Sequence, residues 1–192
     1  MRRVVVTEFV TLDGVMEAPG GEEGHPHTGW VFDFHDAELV AFKLEEILGV
    51  DAHLLGRVTY ESFAGAWPSR TGPMAEKLNS MPKYVASRTL KAPLEWNNST
   101  LLQGDVAEEV AKLKQQDGGD ILVAGSRSLV HTLMEHDLVD EYRMMIFPVV
   151  VGSGGRLFPD TPDKTVLKLV DTQAFDSGVV VHIYQPATAQ PQ

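Results

Sequence analysis

Short apolar runs that favour strands alternate with amphipathic segments along most of this chain. Residues 3–10 form a β-branched run, and residues 36–48 place apolar side chains at helical spacing behind Asp36, which we expect to cap the helix. The alternation continues to residue 137, after which only strand patterns follow, the last two joined by a turn at residues 176–178. Strands joined by helices favour a parallel sheet that is covered on both faces. The pattern therefore predicts an α/β fold with a mixed, mainly parallel sheet, helices on both faces and a C-terminal antiparallel hairpin.

The composition narrows the class of protein. The 192 residues are predicted to form one domain over residues 1–186, followed by a disordered tail at residues 187–192. The chain has no cysteine, which excludes disulfides, thiolate metal sites and cysteine nucleophiles. Its net charge of −11 argues against a nucleic-acid partner, because such binding needs a basic face. No apolar run is long enough for a membrane span and none has the pattern of a signal peptide, so we expect a cytoplasmic protein.

Three predicted strands end in turns that combine a hydroxyl group with an arginine. These turns are Gly56-Arg57-Val58-Thr59, Ser87-Arg88-Thr89 and Gly125-Ser126-Arg127-Ser128. A helix N-terminus offers unpaired N–H groups and the positive end of a dipole, and ligands of open α/β sheets bind beyond the carboxyl ends of the strands. If the strands are neighbours, the turns form one site for a long, multiply charged ligand such as a dinucleotide. The alternative is that they are ordinary strand-to-helix turns with surface arginines.

The segments around these turns resemble the dihydrofolate-reductase-like superfamily. Residues 54–62, LLGRVTYES, resemble the strand–GRxTxES–helix segment of dihydrofolate reductases. Residues 120–158 resemble the reductase domain of bifunctional riboflavin-biosynthesis deaminase-reductase proteins, in which a glycine turn, a helix, "DE" and a P-V-V-x-G-x-G-x-x-L-F run follow one another. Residues 11–14, TLDG, look like the (S/T)-L-D-G after the first strand of the same group. The resemblance covers residues 3–185 and implies a dihydrofolate-reductase-like three-layer fold.

The resemblance also implies NADPH as the cofactor. By this resemblance, Gly56, Arg57 and Thr59 bind the phosphates, and Ser87 and Arg88 lie by the adenosine ribose and its 2′-phosphate. Gly125, Ser126 and Arg127 bind the pyrophosphate. The loop over the nicotinamide begins with Thr11, Asp13 and Gly14. Ser126 stands where the family usually has a second glycine, and a serine restricts the backbone there. Substrate contacts are expected from Trp30, Gly152 and Gly154.

The cofactor carries the chemistry of hydride transfer, so the protein must mainly position the substrate. Dihydrofolate reductases grip their substrate with a carboxylate in an acid–L–x–x–F–K pattern, and residues 38–43, ELVAFK, resemble that pattern. We therefore take Glu38 as the first catalytic candidate and Asp33 as the second. The alternative for Glu38 is an exposed helix acid. No metal site is predicted, because His25 and His27 lack a third ligand at suitable spacing.

These observations predict an NADPH-dependent reductase of a small heterocyclic or ribosylamino-pyrimidine substrate, similar to 5-amino-6-(5-phosphoribosylamino)uracil reductase. A chain without cysteine lacks the thiolate ligands of a zinc deaminase, so it could supply only the reductase half of a bifunctional protein. Dihydrofolate reductase activity and a non-catalytic NADPH-binding protein remain alternatives.

A homodimer is also expected, because the resembled reductase group is commonly dimeric. Residues 140–152 are predicted to form one long strand interrupted at Pro148, and the C-terminal strands carry more large apolar side chains than one sheet face must bury. We expect part of residues 138–155 to lie at or near the interface.

Overall fold

The computed structural model describes residues 1–161 and 164–187. The strands, in chain order, are β1 Val4–Thr11, β2 Ala52–Gly56, β3 Lys83–Ala86, β4 Ser99–Leu101, β5 Ile121–Ala124, β6 Glu141–Phe147, β7 Leu167–Ala174 and β8 Val180–Pro186. The α-helices are α1 Ala37–Leu48, α2 Arg57–Ala66, α3 Pro73–Ser80, α4 Val106–Gln115 and α5 Arg127–Glu135, and a 3-10 helix spans Trp30–Asp33.

The strands form one mixed sheet in the order β4-β3-β2-β5-β1-β6-β8-β7. Neighbouring strands from β4 to β6 pair in parallel, whereas β8 pairs antiparallel with both β6 and β7. This confirms the predicted mixed, mainly parallel sheet with a C-terminal antiparallel hairpin. None of the helices in the described part of the chain is long and apolar enough to cross a membrane.

Helices cover both faces of the sheet. The side chains of β1 show this, since successive side chains of a strand point to opposite faces. Val6 of β1 lies in one apolar cluster with Val110 of α4 and Leu133 of α5. The preceding residue, Val5, lies in a second cluster with Ile47 of α1, and that cluster also contains side chains of α2 and α3. The layer of α1, α2 and α3 therefore lies on one face and the layer of α4 and α5 on the other, which confirms the prediction of helices on both faces.

The strand predicted over residues 140–152 is wrong at its C-terminal end: β6 stops at Phe147, because Pro148 has no N–H for the ladder, and a loop follows. The 3-10 helix at residues 30–33 was not predicted. Of the predicted tail, Ala187 donates a backbone hydrogen bond to Val166, and residues 188–192 lie outside the described residues. The domain limits stay a prediction.

Candidate active site

The topology leaves the C-terminal half of β1 unpaired on its β5 side, and this gap in the sheet edge is called the crevice below. β1 and β5 are neighbours, but α1 follows β1 on one face of the sheet and α5 follows β5 on the other. Such a reversal is where open α/β sheets bind ligands. The β1–β5 pairing ends at Thr7 and Ala124, whereas β1 continues to Thr11. The last residues of β1 therefore have no strand partner on the β5 side.

Two helices begin at this edge without a side-chain cap. Gly56 precedes α2 and has no side chain to cap it, and the Ser126 side chain does not cap α5. Neither helix has an acid in its first turn. By contrast, α1 and α4 are capped by Asp36 and Asp105, and the uncapped α3 carries Glu76 in its first turn. Unpaired N–H groups and a positive dipole end favour an anion. The two helix ends at this edge are therefore suited to bind phosphate.

The two helix ends are held together by direct contacts. The Gly56 N–H donates to Ser126 Oγ at 2.8 Å. Gly125 and Ser126 both adopt left-handed backbone conformations, with φ of +67° and +68°. A Cβ at Gly125 would lie 3.0 Å from Thr59 Oγ1, a tight contact, and the left-handed backbone there also disfavours a side chain. Ser126 thus keeps the left-handed turn despite its side chain, and its hydroxyl joins the two turns instead of capping α5.

The three arginines of these turns differ in how they are engaged. Arg57 pairs with Glu61 at 2.7 Å along the exposed face of α2. Arg127 lies 3.7 Å from Glu17, and both side chains are about half exposed. Arg88 is exposed and has no ion pair within the described part of the chain. Exposed ion pairs contribute little stability, so Arg57 and Arg127 can exchange their acidic partners for an anion. Arg88 can turn toward an anion without breaking an ion pair within the described residues. These residues fit the phosphates of a dinucleotide.

The predicted nicotinamide-loop residues bind the loop that follows β6. Thr11 Oγ1 donates to Asp13 Oδ1 at 2.6 Å, and Asp13 accepts backbone N–H groups of Gly152 at 2.8 Å and Val151 at 3.3 Å. These hydrogen bonds hold the pKa of Asp13 below its usual range, and the bond from Thr11 has the largest effect. Gly14 completes the turn with φ of +83°. Thr11, Asp13 and Gly14 therefore position two loops at the edge of the crevice.

A second set of contacts joins the same two loops. Glu17 accepts the Gly155 N–H at 2.5 Å, and its carbonyl oxygen accepts the Trp30 indole N–H at 2.9 Å. Trp30 is 4% exposed, so it offers a ligand little surface. A Cβ at Gly154 would lie 2.8 Å from Val15 Cγ1, so glycine lets the loops approach each other. Gly152 and Gly154 lie in this loop pair, whereas Trp30 belongs to the core beneath it.

The predicted catalytic acids lie on the two helical elements between β1 and β2, outside the turns that follow β2 and β5. Asp33 ends the 3-10 helix and is exposed, and Glu38 is exposed in the first turn of α1. Glu38 lines a cavity of about 400 Å³ together with Asp176 and Ser177 of the β7–β8 turn. Asp36 ties the same elements together by accepting the Ser177 N–H at 3.0 Å. Among the described residues, no hydrogen bond or ion pair joins Glu38 to the turns after β2 and β5.

Lys43, the last residue of the ELVAFK pattern, belongs to a charged network under α1. Its ammonium group donates to Thr7 Oγ1 at 3.0 Å and to the buried carboxylate of Glu46. Thr7 also donates to Glu46, and Arg143 of β6 lies 3.5 Å from the same carboxylate. A cavity of about 240 Å³ opens beside Glu46 and Arg143. The acid that α1 turns toward the sheet is therefore Glu46, not Glu38.

Sequence reasoning missed Glu8, which lies on β1 one residue beyond the last pair with β5. Its side chain is buried, and Oε2 accepts the Gly125 N–H at 3.1 Å. Oε1 has no hydrogen-bond partner within the described residues. Burial raises the pKa of Glu8 to about 8. The available signal was an acid within an otherwise apolar strand pattern.

Comparisons with known proteins identify relatives over nearly the whole chain. Residues 2–181 match the family described as the RibD C-terminal domain. The uncharacterized protein YyaP of Bacillus subtilis (strain 168) is 36% identical over 189 residues, which cover 95% of this chain and 94% of that protein.

Solved structures share the fold at low sequence identity. A protein assigned to riboflavin biosynthesis from Shewanella sp. PV-4 superposes with a TM-score of 0.75 at 19% identity, covering 97% of this chain and 99% of that one. A diaminohydroxyphosphoribosylaminopyrimidine deaminase/5-amino-6-(5-phosphoribosylamino)uracil reductase from Thermotoga maritima superposes with a TM-score of 0.66 at 15% identity. The match covers 97% of this chain and 57% of that longer one.

Proposed function

The chain belongs to the RibD C-terminal domain family, and on that premise we propose that it is an NADPH-dependent reductase. One observation carries the proposal: two helices without caps or first-turn acids begin side by side at the crevice, joined by the Gly56–Ser126 hydrogen bond. This arrangement suits a pyrophosphate, and NADPH supplies a hydride when it is bound.

Each turn of the edge has a part in holding the cofactor. The backbone N–H groups at Gly125, Ser126 and the first turn of α5 would bind the pyrophosphate, with Arg127 beside them. Gly56, Arg57 and Thr59 would also bind phosphate. Ser87 and Arg88 would bind the adenosine ribose and its 2′-phosphate. The loop beside the nicotinamide would begin with Thr11, Asp13 and Gly14. A guanidinium matches the charge and geometry of the 2′-phosphate.

The substrate in this proposal is a small heterocycle or a ribosylamino-pyrimidine. The Thermotoga maritima protein, which shares the fold, is named for a reductase of such a compound. Glu38 lines a cavity of about 400 Å³, which is large enough for a small molecule, and its carboxylate can accept hydrogen bonds from an amino-pyrimidine. Asp33 stands as the second orienting acid, Gly152 and Gly154 border the substrate, and the buried Trp30 supports their loop from the core beneath it. The protein acts in the cytoplasm.

A screen for NADPH oxidation tests the proposal. The panel contains ribosylamino-pyrimidines, dihydropterins including dihydrofolate, and small carbonyl compounds, with absorbance of the reduced nicotinamide as the measurement. We expect oxidation with a ribosylamino-pyrimidine. Oxidation with dihydrofolate alone would favour the dihydrofolate reductase alternative. NADPH binding without oxidation of any compound would indicate a non-catalytic binding protein and contradict the proposal.

A homodimer completes the proposed function. β7 is an edge strand that exposes Leu169 and Val170, and Val150 in the loop after β6 is 68% exposed. An exposed edge strand presents unpaired N–H and C=O groups with which a second chain can pair. Light scattering at micromolar concentration should show twice the 21.1 kDa chain mass. A single species of 21.1 kDa would contradict the dimer.

A further inference from the structure

The missing side chain of Gly155 leaves the space that the Arg127 guanidinium group fills. Gly155 is buried in the loop after β6, and a Cβ built there would lie 1.4 Å from Arg127 Nη1 and 2.5 Å from its Cζ. None of the other described glycines would place a Cβ nearer than 2.8 Å to an atom of another part of the chain. Any side chain at position 155 would therefore displace the guanidinium group.

The backbone of Gly155 cannot move aside to make room for a side chain. Its N–H donates to the Glu17 carboxylate at 2.5 Å, and its carbonyl oxygen accepts the Met16 N–H at 2.9 Å. Its φ lies outside the left-handed region, so alanine could adopt the same backbone conformation. Space for Arg127, rather than backbone conformation, is therefore what requires a glycine here.

Arg127 connects this loop to the proposed pyrophosphate turn. It is the first residue of α5, so its side chain starts at the end of the helix where we place the pyrophosphate. Its guanidinium group extends to Gly155 and lies 3.7 Å from the Glu17 carboxylate. The side chain is 47% exposed, so a ligand at the edge of the sheet can reach it.

We propose that Gly155 is a positioning residue for the cofactor and acts through Arg127, an inference that rests on the proposed function. A free arginine side chain loses rotamer freedom when it binds a ligand, whereas a guanidinium group that is already in place loses less. The pyrophosphate would replace Glu17 as the partner of Arg127, in a charge-assisted contact that two N–H groups can share. A side chain at position 155 would remove this placement.

A double-mutant cycle tests whether Gly155 acts through Arg127. NADPH affinity is measured by nicotinamide fluorescence for wild type, Gly155→Ala, Arg127→Ala and the double variant. Arg127→Ala should weaken NADPH about tenfold, because a charged hydrogen bond is lost. Gly155→Ala should weaken it about threefold or more, the cost of ordering one long side chain. The double variant should bind like Arg127→Ala, because the added methyl group then meets no guanidinium group.

A second cofactor and a control variant sharpen the test. NADH contains the same pyrophosphate, so Gly155→Ala should weaken NADH by the same factor as NADPH, unlike a change at a residue that binds only the 2′-phosphate. Gly65→Ala on α2 is the matched control, because a Cβ there meets nothing within 4 Å, and it should leave binding unchanged. Urea unfolding of Gly155→Ala should resemble that of wild type, since the methyl group displaces only the end of a flexible side chain.

The outcomes separate this role from a structural one and from the proposed function. Unchanged NADPH affinity in Gly155→Ala would overturn the role of Gly155. The same loss from Gly155→Ala with and without Arg127, together with lower stability in urea, would overturn it as well, because the glycine would then only pack the loop. Failure of wild type to bind either cofactor would instead contradict the proposed function, and the role of Gly155 with it.

Discussion

Replacing His53 by leucine is expected to make the protein increasingly more stable than wild type as the pH falls below about 6.5. His53 is fully buried on β2 beside Phe63, and neither ring nitrogen has a hydrogen-bond partner within the described residues. Burial, with the ammonium groups of Lys83 and Lys43, lowers the pKa of His53 to about 3. The folded protein therefore keeps a neutral imidazole where the unfolded chain takes up a proton.

The sign of the effect follows from proton binding. Between about pH 6.5 and 3 the unfolded state binds one more proton at His53 than the folded state, so the free energy of unfolding falls as the pH falls. The slope is about 1.4 kcal/mol per pH unit, or about 3 kcal/mol between pH 6.5 and 4.5. Glu8 has the opposite effect, because its raised pKa costs stability as the pH rises from 4.5 to about 8. Stability should be greatest between about pH 4.5 and 6.5.

Urea unfolding of wild type and His53→Leu at pH 7, 5.5 and 4.5 measures this effect. At pH 7 the leucine variant should be at least as stable as wild type, because it removes two buried nitrogens without partners. Its advantage should then grow by about 3 kcal/mol at pH 4.5. A stability difference that stays constant with pH would show that His53 is not a buried neutral group.

Most of the fold could be predicted because its determinants are local. The β-branched run of β1, the helical spacing behind the Asp36 cap and the turn at residues 176–178 each specify an element within a few residues. The helix starts after Gly56 and Ser126 were found in the same way. Each lies where an apolar run gives way to a helical pattern.

The parts of the site that depend on distant contacts could not be predicted. Glu8 is buried because its carboxyl group meets Gly125, 117 positions along the chain, and no local pattern records that contact. Helical spacing presents Glu38 and Glu46 as equivalent acids, and only the packing of α1 against β6 buries Glu46. Pro148 signalled an interruption of β6, but the loop turns toward Asp13 because of hydrogen bonds from residues 151 and 152.

Replacing Arg88 by alanine is expected to weaken NADPH binding by about 1.5–3 kcal/mol, the range for hydrogen bonds to charged groups. Arg88 follows β3 at the carboxyl edge of the sheet and has no ion pair within the described residues, so its charge is available to the 2′-phosphate. NADH lacks that phosphate, so its affinity should change much less. Titration of each cofactor by nicotinamide fluorescence measures both effects.

Alanine variants of two other arginines serve as a weaker case and as a control for Arg88→Ala. Arg57→Ala should act in the same direction with a smaller effect, because Arg57 must first leave its pair with Glu61. Arg70 stacks on the Trp67 ring beyond the C-terminal end of α2, so Arg70→Ala should leave NADPH binding unchanged. Equal losses for Arg70→Ala and Arg88→Ala would mean that only the net charge of the protein matters.

The affinities of wild type for NADPH and NADH test the central claim most directly. Neither of the turns proposed for the adenosine end, residues 56–59 and residues 87–89, contains an acid, and NAD-specific sites usually offer a carboxylate to the ribose hydroxyl groups. We expect NADPH to bind at least about ten times more tightly than NADH, a difference of about 1.4 kcal/mol. The preference should shrink as salt rises. Equal affinity for the two cofactors, or no binding of either, would contradict the account.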